Sequence, residues 1–533
     1  MSNSFYTSVV QRGNQLLVRS IENGMHQKQK IDYFPTLYTT NKKTANVSTE
    51  WKTLDGIPSY EIYPGDINDC KDFIKSHEGI SGFNIFGQTN YANQYIANTY
   101  PEDVIFDSTY LNIVIIDIEI LVSESGEFPD PKYAKDEIVL ISLLDKNTKK
   151  TTTFGSRPYT GKFCSGFVLC KDEKDLLMKF LLHWQYDTPD IITGWNVDLF
   201  DIPYIVNRMQ KLIGDSYKKL SPWGIIQEKN VNVRGTTEQK YNIIGVSSLD
   251  YLDLYKKYTY KTRGSYKLQN IAFDELGETK LDHSQGTTFR EFCTGVYDVF
   301  ELEDDASDIQ KQGFRRTELK RQGLTSGDEY KELDLYLRQS AWNLYCEYVE
   351  QDTNLVDKLD DKLKLIDLHL TMAYTAKMNY NDAFSPVKLW DNIIYNDLLK
   401  KKIVIPNDKH SSKGEQFEGA YVKDPIPGMH KWVITQDLQS LYPHLIMGSN
   451  ISPETLSTTH LDVTVESLLN KTPLPETGLA LTANGWCYHK NKQGFLPELM
   501  QTMYESRSTD KKKMLKCESE LELVKAEMKK RGL

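Results

Sequence analysis

The stretch Leu111-Asn-Ile-Val-Ile-Ile-Asp-Ile-Glu-Ile-Leu121 places two carboxylates inside an apolar run. The run is rich in Ile and too short to cross a membrane, which is typical of a buried strand. Asp117 and Glu119 are two residues apart, so on a strand their side chains leave the same face. At ~4 Å and an effective dielectric constant of ~20 their repulsion is about 4 kcal/mol, which a divalent cation bound by carboxylate oxygens would relieve. A half-exposed strand with a solvated polar face accounts for this segment equally well.

Helix and strand patterns alternate after this stretch. Residues 175–182 have a helical pattern, Ile191-Ile-Thr-Gly194 has the pattern of a strand, and residues 226–246 favour a hairpin around Arg234-Gly235-Thr236. Such alternation predicts an α/β domain. Upstream, Arg12-Gly13-Asn14 and Asn23-Gly24 are hairpin signals, which predict a β-rich module up to about residue 110.

The composition is that of a globular protein with several domains. The chain has 533 residues, 39% of them hydrophobic, and its length suggests roughly three or four domains. No stretch reaches the ~18 apolar residues of a membrane span. The seven cysteines form no CxxC pair, so neither a disulfide framework nor a zinc site is indicated and a reducing cytoplasm is favoured. The net charge of −10 argues only weakly against nucleic-acid binding, because metal-dependent nucleases use carboxylates as cation ligands and a basic groove can be local.

Two further segments carry side chains suited to the same chemistry. In Thr193-Gly-Trp-Asn-Val-Asp-Leu-Phe-Asp-Ile-Pro-Tyr204 a strand ends in a glycine turn, after which Asn196 and Asp201 can point back toward the end of the sheet. Tyr348 and Asp352 are four residues apart on a helical stretch and therefore share one helix face. Taken one at a time, each pattern is more often structural than catalytic.

In this order, the three segments resemble the exonuclease motifs of DnaQ-like proofreading domains, in particular those of T-even-type bacteriophage family B DNA polymerases. The resemblance implies a 3′→5′ DNA exonuclease with two magnesium or manganese ions, one generating hydroxide and both clamping the in-line transition state. It assigns the metal ligands to Asp117, Glu119, Asp201 and Asp352, the orientation of the attacking water to Tyr348, and substrate binding to Asn196. Asp198 is expected to be a solvated neighbour of this site.

A second group of residues resembles part of a polymerase site. Asp437 follows the strand-like run 432–435 and precedes a Tyr-Pro turn, a placement that suits a metal ligand, with a helix N-cap aspartate as the alternative. Gln436-Asp-Leu-Gln-Ser-Leu-Tyr-Pro443 resembles family B motif A. That resemblance implies that Asp437 binds the catalytic metals and that the incoming triphosphate contacts Ser440, Leu441 and Tyr442. Phe417-Glu-Gly-Ala420 resembles the segment that couples editing to synthesis by contacting the template.

The last segment predicts a long polar helix. Residues 497–531 consist of helix formers after Pro497 and are followed by Gly532. Arg507 and Lys511 are four residues apart and reach one side of this helix, where a solvated basic face is the plainer explanation. Their spacing is similar to the R-x-x-x-K of the first fingers helix in phage family B enzymes, which implies that they bind the triphosphate.

These patterns predict a multidomain α+β and α/β protein with four parts. A β-rich N-terminal domain is expected at 1–111 and 365–408, and an RNase H-like (DnaQ-like) exonuclease domain at 112–364. A partial family B palm with motif A is expected at 409–493, and the first fingers helix at 494–533. The charged stretch 300–335 is expected to be an exposed insertion.

The sequence contains neither motif B (K-x-x-x-N-S-x-Y-G) nor the motif C aspartates nor a thumb. We therefore expect the N-terminal subunit of a split family B polymerase, whose second chain carries these parts and shares the polymerase metals with Asp437. A stand-alone exonuclease and a partial, non-polymerising gene product are the alternatives. The implied partners are primer-template and single-stranded DNA, dNTP, the second chain, and a sliding clamp reached through that chain. The resemblance further implies a virus-encoded protein that acts in the host bacterial cytoplasm and has no membrane partner.

Overall fold

A computed structural model describes residues 4–41, 50–121, 129–233, 235–281, 328–407, 422–474 and 476–531. The chain forms two compact units. The first comprises Met1–Thr36, Tyr63–Glu78 and Gln88–Asn396, and the second comprises Leu37–Ile62, Gly79–Gly87 and Asp397–Leu533.

An antiparallel sheet of three strands opens the first unit. It consists of β1 (Ser4–Arg12), β2 (Gln15–Glu22) and β3 (Met25–Asp32), in that order. Asn23 and Gly24 have φ angles of 52° and 78°, as a tight hairpin turn between β2 and β3 requires. Strands β1 and β2 also pair antiparallel, so both hairpins expected from the sequence are confirmed. The helices α1 (Ile67–His77) and α2 (Tyr91–Thr99) follow.

A mixed sheet of six strands forms the centre of the first unit. Its order is β10-β9-β8-β7-β11-β14, with β7 antiparallel to β8 and parallel to β11. The strands are β7 (Ile113–Ile120), β8 (Ile138–Asp145), β9 (Thr151–Gly155), β10 (Phe167–Leu169), β11 (Ile191–Thr193) and β14 (Ser247–Ser248). The buried strand expected from residues 111–121 is thus confirmed as β7. It has a neighbour on either side, which explains why its sequence is almost continuously apolar.

Helices cover both faces of this sheet. The even-numbered residues of β7, from Val114 to Ile120, share a core with α3 (Glu173–Tyr186) and α4 (Asp201–Ile213). On the opposite face, α7 (Asp328–Leu363) packs against β7 and β8 through side chains such as Trp342 and Val349. The odd-numbered residues of β7, which include both carboxylates, therefore point toward α7.

The remaining elements of the first unit surround this sheet. The hairpin expected at 226–246 is confirmed as β12 (Ile226–Val233) and β13 (Thr236–Ile243). The further helices are α5 (Tyr251–Tyr258), α6 (Leu268–Leu276), α8 (Leu365–Ala376) and α9 (Pro386–Lys400), whose residues 397–400 belong to the second unit. Short 3-10 helices cover Ser108–Tyr110, Gly214–Leu220 and Tyr380–Phe384. The charged stretch expected as an insertion lies outside the described residues up to 327, and 328–335 are helical.

The second unit contains two small sheets and a long helix. One sheet has the order β5-β4-β6, from Tyr60–Ile62, Leu37–Thr39 and Ile85–Phe86, and the other has the order β15-β17-β16, from Leu456–His460, Trp486–Tyr488 and Ala480–Leu481. Its helices are α10 (Leu441–Gly448), α11 (Val465–Leu469) and α12 (Phe495–Arg531), with a 3-10 turn at Pro453–Thr455. The long terminal helix expected from the sequence is confirmed as α12.

The prediction of a strand at 432–435 is wrong. Residues 431–438 form neither helix nor strand, and Trp432, Val433 and Ile434 are 96%, 74% and 83% exposed. A strand needs the backbone hydrogen bonds of a neighbour. Within the described ranges no strand pairs with this segment. Its apolar side chains are therefore left in water.

Two expectations about the fold remain predictions. The structure is a mixed α/β fold, but neither the four domain boundaries nor the RNase H-like classification is settled by it. In the parts of the chain that are described, no helix combines the length and apolar character needed to cross a bilayer.

Candidate active site

Three carboxylates meet on the face of the central sheet that α7 covers. Asp117 and Glu119 project from β7, and Asp352 projects from α7. One carboxylate oxygen from each lies within 4.8 Å of the others, and Glu119 and Asp352 are only 9% and 4% exposed. The structure thus brings together side chains that are more than 230 positions apart in the chain, as the sequence predicted.

Asp201, the fourth carboxylate expected here, lines the same cavity at the first residue of α4. It is 3% exposed, and its Oδ1 accepts a hydrogen bond of 3.1 Å from the backbone N–H of Ile118. Asp201 is not one of the three carboxylates whose oxygens cluster most tightly. Because Ile118 lies between Asp117 and Glu119, this bond anchors the start of α4 to the acidic part of β7.

The cavity around these carboxylates has a volume of about 550 Å³. Aromatic and polar side chains form its walls together with the acidic floor. The lining comprises Asp117, Ile118, Glu119, Trp195, Asn196, Phe200, Asp201, Leu252, Tyr266, Lys267, Leu268, Gln269, Lys280, Tyr348 and Asp352. A space of this size with convergent carboxylates is typical of a small-ligand or catalytic site.

A lysine that the sequence did not single out completes the site. The Lys280 ammonium contacts the Asp352 carboxylate and donates a hydrogen bond of 3.1 Å to the Tyr348 hydroxyl. Tyr345, also missed, donates a hydrogen bond of 2.9 Å to Glu119. Tyr345 is three residues before Tyr348 and seven before Asp352, so helical spacing could have indicated it. No spacing rule points to Lys280, which follows α6 in a loop.

The pKa values show how strongly these groups interact. Burial, together with the charges of Asp352, Asp201 and Glu119, raises the pKa of Asp117 well above its ordinary range. Burial and the charge of Asp352 raise the pKa of Glu119 to about 8. Burial raises the pKa of Asp201 to about 7, although backbone N–H groups oppose that shift.

Lys280 offsets part of this negative charge. Burial lowers its pKa, but the Coulombic interactions with Asp352, Tyr348 and Asp117 and the hydrogen bond to Asp352 together outweigh that effect, so the net shift is upward and the lysine stays cationic. One ammonium does not neutralise the whole carboxylate group. Clustered carboxylate oxygens are the ligands that magnesium and manganese prefer, so the donor set fits divalent ions.

The loop that carries Asn196 and Asp198 separates two cavities. Asn196 lines the cavity described above, whereas Asp198 lines a second cavity of about 850 Å³. The expectation that Asp198 is a solvated neighbour is wrong. It is 5% exposed, its carboxylate forms an ion pair with Lys240, and it accepts a hydrogen bond from the hydroxyl of Ser248. A buried carboxylate needs such partners, and these lie on strands far away in the sequence.

The residues expected to form the polymerase half lie on the surface of the second unit. Asp437 is exposed, and Tyr442 is 72% exposed at the start of α10. Ser440 has a φ of 54° and Leu441 is 41% exposed. The segment 417–420, which was expected to contact the template, lies outside the described residues.

Two basic residues on α12 were expected to join this half. Arg507 and Lys511 are exposed, and neither forms an ion pair with Asp437 in the residues that the structure covers. The imidazole of His444 lies edge-on to the ring of Tyr504, with 4.8 Å between ring centroids, which joins α10 to α12. The predicted polymerase residues are thus found at the surface, and their roles remain predictions.

Comparison with known proteins matches both halves of the chain. The profile of "DNA polymerase family B, exonuclease domain" matches residues 60–271, and that of "DNA polymerase family B" matches residues 390–531. The chain is 29% identical to the DNA-directed DNA polymerase of Enterobacteria phage T4 and 30% identical to that of Escherichia phage RB69. Each of these alignments covers 98% of this chain and 55% of the relative. The DNA polymerase delta catalytic subunit of Candida albicans is 26% identical over 77% of this chain and 36% of that subunit.

The central sheet and the carboxylates of Asp117, Glu119 and Asp201 thus lie in the region that matches an exonuclease domain, whereas Asp352, Tyr348 and Lys280 lie outside that match. The chain belongs to DNA polymerase family B and includes the exonuclease domain of that family. It spans about half the length of the phage relatives it matches. Family B polymerases and their exonuclease domains use divalent metals, and the acidic group described above is suited to hold them.

Proposed function

We propose that the cavity around Asp117, Glu119 and Asp352 removes nucleotides from the 3′ end of DNA, as a proofreading exonuclease. The observation that carries this proposal is the convergence of these carboxylates with Asp201, Tyr348 and Lys280 in one cavity. Buried carboxylates with raised pKa values in a cleft are typical of functional sites, and their oxygens are suitable ligands for divalent metal ions.

We assign the binding of two divalent ions, magnesium or manganese, to four carboxylates: Asp117, Glu119, Asp201 and Asp352. Bound there, the ions lower the pKa of water and offset charge on the phosphodiester. The protein side chains orient the reacting groups. Tyr348, whose hydroxyl contacts Lys280, faces the same cavity and can hold a water through its phenolic oxygen. Asn196 lies on the cavity wall, where its amide can bind the terminal nucleotide.

The test of the exonuclease is the double substitution Asp117→Ala with Glu119→Ala. We expect it to abolish magnesium-dependent shortening of a 3′-labelled single-stranded oligonucleotide. Asp215→Asn is the matched control, because that carboxylate is 86% exposed and pairs with Lys218 on the surface. Degradation by the double variant at the rate of the control would show that the site is misassigned.

We further propose that the second unit supplies part of a DNA polymerase site. Its residues would bind primer-template DNA and dNTP through Asp437, Tyr442 and the basic pair on α12. Motifs B and C do not occur in this sequence. We propose that a second polypeptide supplies them with the thumb, shares the polymerase metals and links the assembly to a sliding clamp. Exposed apolar side chains on α12 support this proposal, since Leu515, Leu521 and Val524 are 51%, 51% and 55% exposed.

Co-expression with a chain that carries motifs B and C tests the second proposal. We expect the two chains to co-purify and to extend a primer, and we expect Asp437→Ala to abolish extension while leaving 3′-end degradation intact. Failure to co-purify and to extend, with degradation retained, would favour a stand-alone exonuclease. The similarity to the phage polymerases also supports a phage-encoded protein that acts inside a bacterial host.

A further inference from the structure

The loop between β11 and α4, residues 194–200, forms part of the lining of the candidate site and is neither helix nor strand. Trp195, Asn196 and Phe200 line the cavity. Asn196 has a φ of 67°, a left-handed conformation that costs free energy in a residue other than glycine. The loop runs directly into Asp201, so its path fixes where that carboxylate begins.

A buried carboxylate behind this loop holds it in place. The Oδ1 atom of Asp250 accepts hydrogen bonds from the backbone N–H of Asn196 at 3.0 Å and of Leu252 at 2.9 Å. Its Oδ2 atom accepts one from the backbone N–H of Asp198 at 3.1 Å. Asp250 is 3% exposed and is not among the residues that line the cavity.

These three hydrogen bonds divide into two functions. The bond from Leu252 caps the first turn of α5, the ordinary role of an aspartate before a helix. The bonds from Asn196 and Asp198 add nothing to α5 and instead fix two alternate peptide groups of the loop. Burial and the charge of Asp198 raise the pKa of Asp250 to about 8, although the hydrogen bonds from those same backbone N–H groups oppose the shift. Together, the two oxygens of the side chain accept all three bonds.

We infer that Asp250 is a positioning residue for 3′-end hydrolysis, acting through the loop 194–200 on Asn196 and Asp201. This inference rests on the proposed exonuclease function. Asp250 holds Asn196 in its left-handed conformation and sets the start of α4. Asp201 in turn accepts the N–H of Ile118 between the carboxylates of β7.

Two substitutions separate the positioning role from the cap. Asn and Ser are helix caps of about the same strength as Asp, so Asp250→Asn and Asp250→Ser both keep the bond to Leu252. The serine hydroxyl is too short to reach the two loop amides as well. The asparagine amide places an N–H₂ group against one backbone N–H, so at least one loop bond is lost. Asp253→Asn is the matched control, because the exposed carboxylate of Asp253 lies within 4.8 Å of those of Asp198 and Asp250, while the loop amides of Asn196 and Asp198 donate to Asp250.

The experiment combines kinetics with hydrogen exchange of the full chain. In magnesium, with a 3′-labelled oligonucleotide, we expect kcat to fall by about 10-fold to 100-fold in both Asp250 variants, with a smaller change in KM. Peptides covering residues 194–200 should exchange faster than in wild type. Peptides covering β1 and β2 should exchange at the wild-type rate, which reports on global folding. Asp253→Asn should behave as wild type in both measurements.

The outcomes are distinguishable. Wild-type kcat in both Asp250 variants would overturn the positioning role and leave only the helix cap. Loss of kcat with unchanged exchange in residues 194–200 would also overturn it, because the loop would then not be the route. A wild-type chain that degrades no DNA would overturn the proposed function itself, while the exchange measurement would still show whether Asp250 holds the loop.

Discussion

Replacing Glu119 by Gln should stabilise the metal-free protein at pH 8 while abolishing its proposed activity. Glutamine has nearly the shape of glutamate and keeps an oxygen for the hydroxyl of Tyr345, which donates to Glu119 at 2.9 Å. It removes the negative charge that burial and Asp352 oppose. The substitution therefore tests whether the site carries unfavourable charge when no cation is bound.

The size of the effect follows from the pKa. Glu119 has a pKa of about 8 in the folded protein against an ordinary value of 4.5. Because folding raises this pKa, the protonated form is favoured, and the stability that it contributes is present below pH 4.5 and lost as the pH rises toward 8. The resulting cost is about 4 kcal/mol at pH 8 and less than about 1 kcal/mol at pH 5. Coupled carboxylates redistribute their protons, so we expect a measured gain of at least about 1 kcal/mol at pH 8.

Thermal unfolding in EDTA at pH 5 and pH 8 measures this gain. A gain of about 1 kcal/mol should raise the transition temperature by about 2–4 °C at pH 8, with a smaller change at pH 5. Magnesium should stabilise wild type more at pH 8 than at pH 5 and should stabilise the variant less. Glu228→Gln, at an exposed position of β12, is the control and should show none of these changes.

One result would refute the reasoning. If Glu119→Gln lowers the transition temperature at pH 8 in EDTA by more than the control does, the carboxylate is not under electrostatic stress. The interpretation of the cluster as a cation site would then lose its physical basis, whatever the activity of the variant.

Lys280→Gln should lower kcat for 3′-end degradation by about 10-fold or more, because the ammonium orients Tyr348 and Asp352. Single-turnover kinetics at saturating DNA would measure this loss. An unchanged rate would mean that the lysine is dispensable. Arg19→Met should destabilise the first unit by about 3–5 kcal/mol, because it leaves the buried carboxylate of Asp190 without the guanidinium that pairs with it at 3.0 Å. A denaturation midpoint equal to that of wild type would contradict this prediction. His26→Gln should destabilise the protein at pH 6 and have little effect at pH 9. The hydrogen bond to Asp190 raises the pKa of His26 above 6.5, so its stabilisation is present below that value and is lost as the pH rises through the folded-state pKa. Unfolding curves for the variant that run parallel to wild type across that pH range would refute the expectation.

Local sequence patterns were sufficient where a segment carries its own signal. The strand around Asp117, the hairpin at Asn23-Gly24 and the helix α12 depend on period, turn residues and helix formers, all of which are readable along the chain. The carboxylates of the site were predicted from the order of three sequence motifs along the chain and not from any geometric argument. The structure then added how they are held, through Tyr345 and Lys280.

What the sequence missed depends on contacts between distant segments. Asp198 was expected in solvent because its neighbours in sequence do not reveal Lys240 and Ser248, which lie 42 and 50 positions away. Lys280 reaches the site from a loop whose course has no periodic signature. The strand expected at 432–435 failed for the opposite reason, because a local pattern cannot supply the neighbouring strand that a strand requires.

The loop 194–200 belongs to two cavities at once, and this limits how its sequence can change. Asn196 contributes to one cavity and Asp198 to the other, while a single carboxylate holds the backbone of both. A substitution at a residue that lines one cavity must leave the backbone N–H groups of the loop in place, because they also position the residue that lines the other cavity. We therefore expect this short segment to tolerate fewer replacements than the partial exposure of Asn196 suggests, and a saturation library of residues 194–200 selected for activity would measure that restriction.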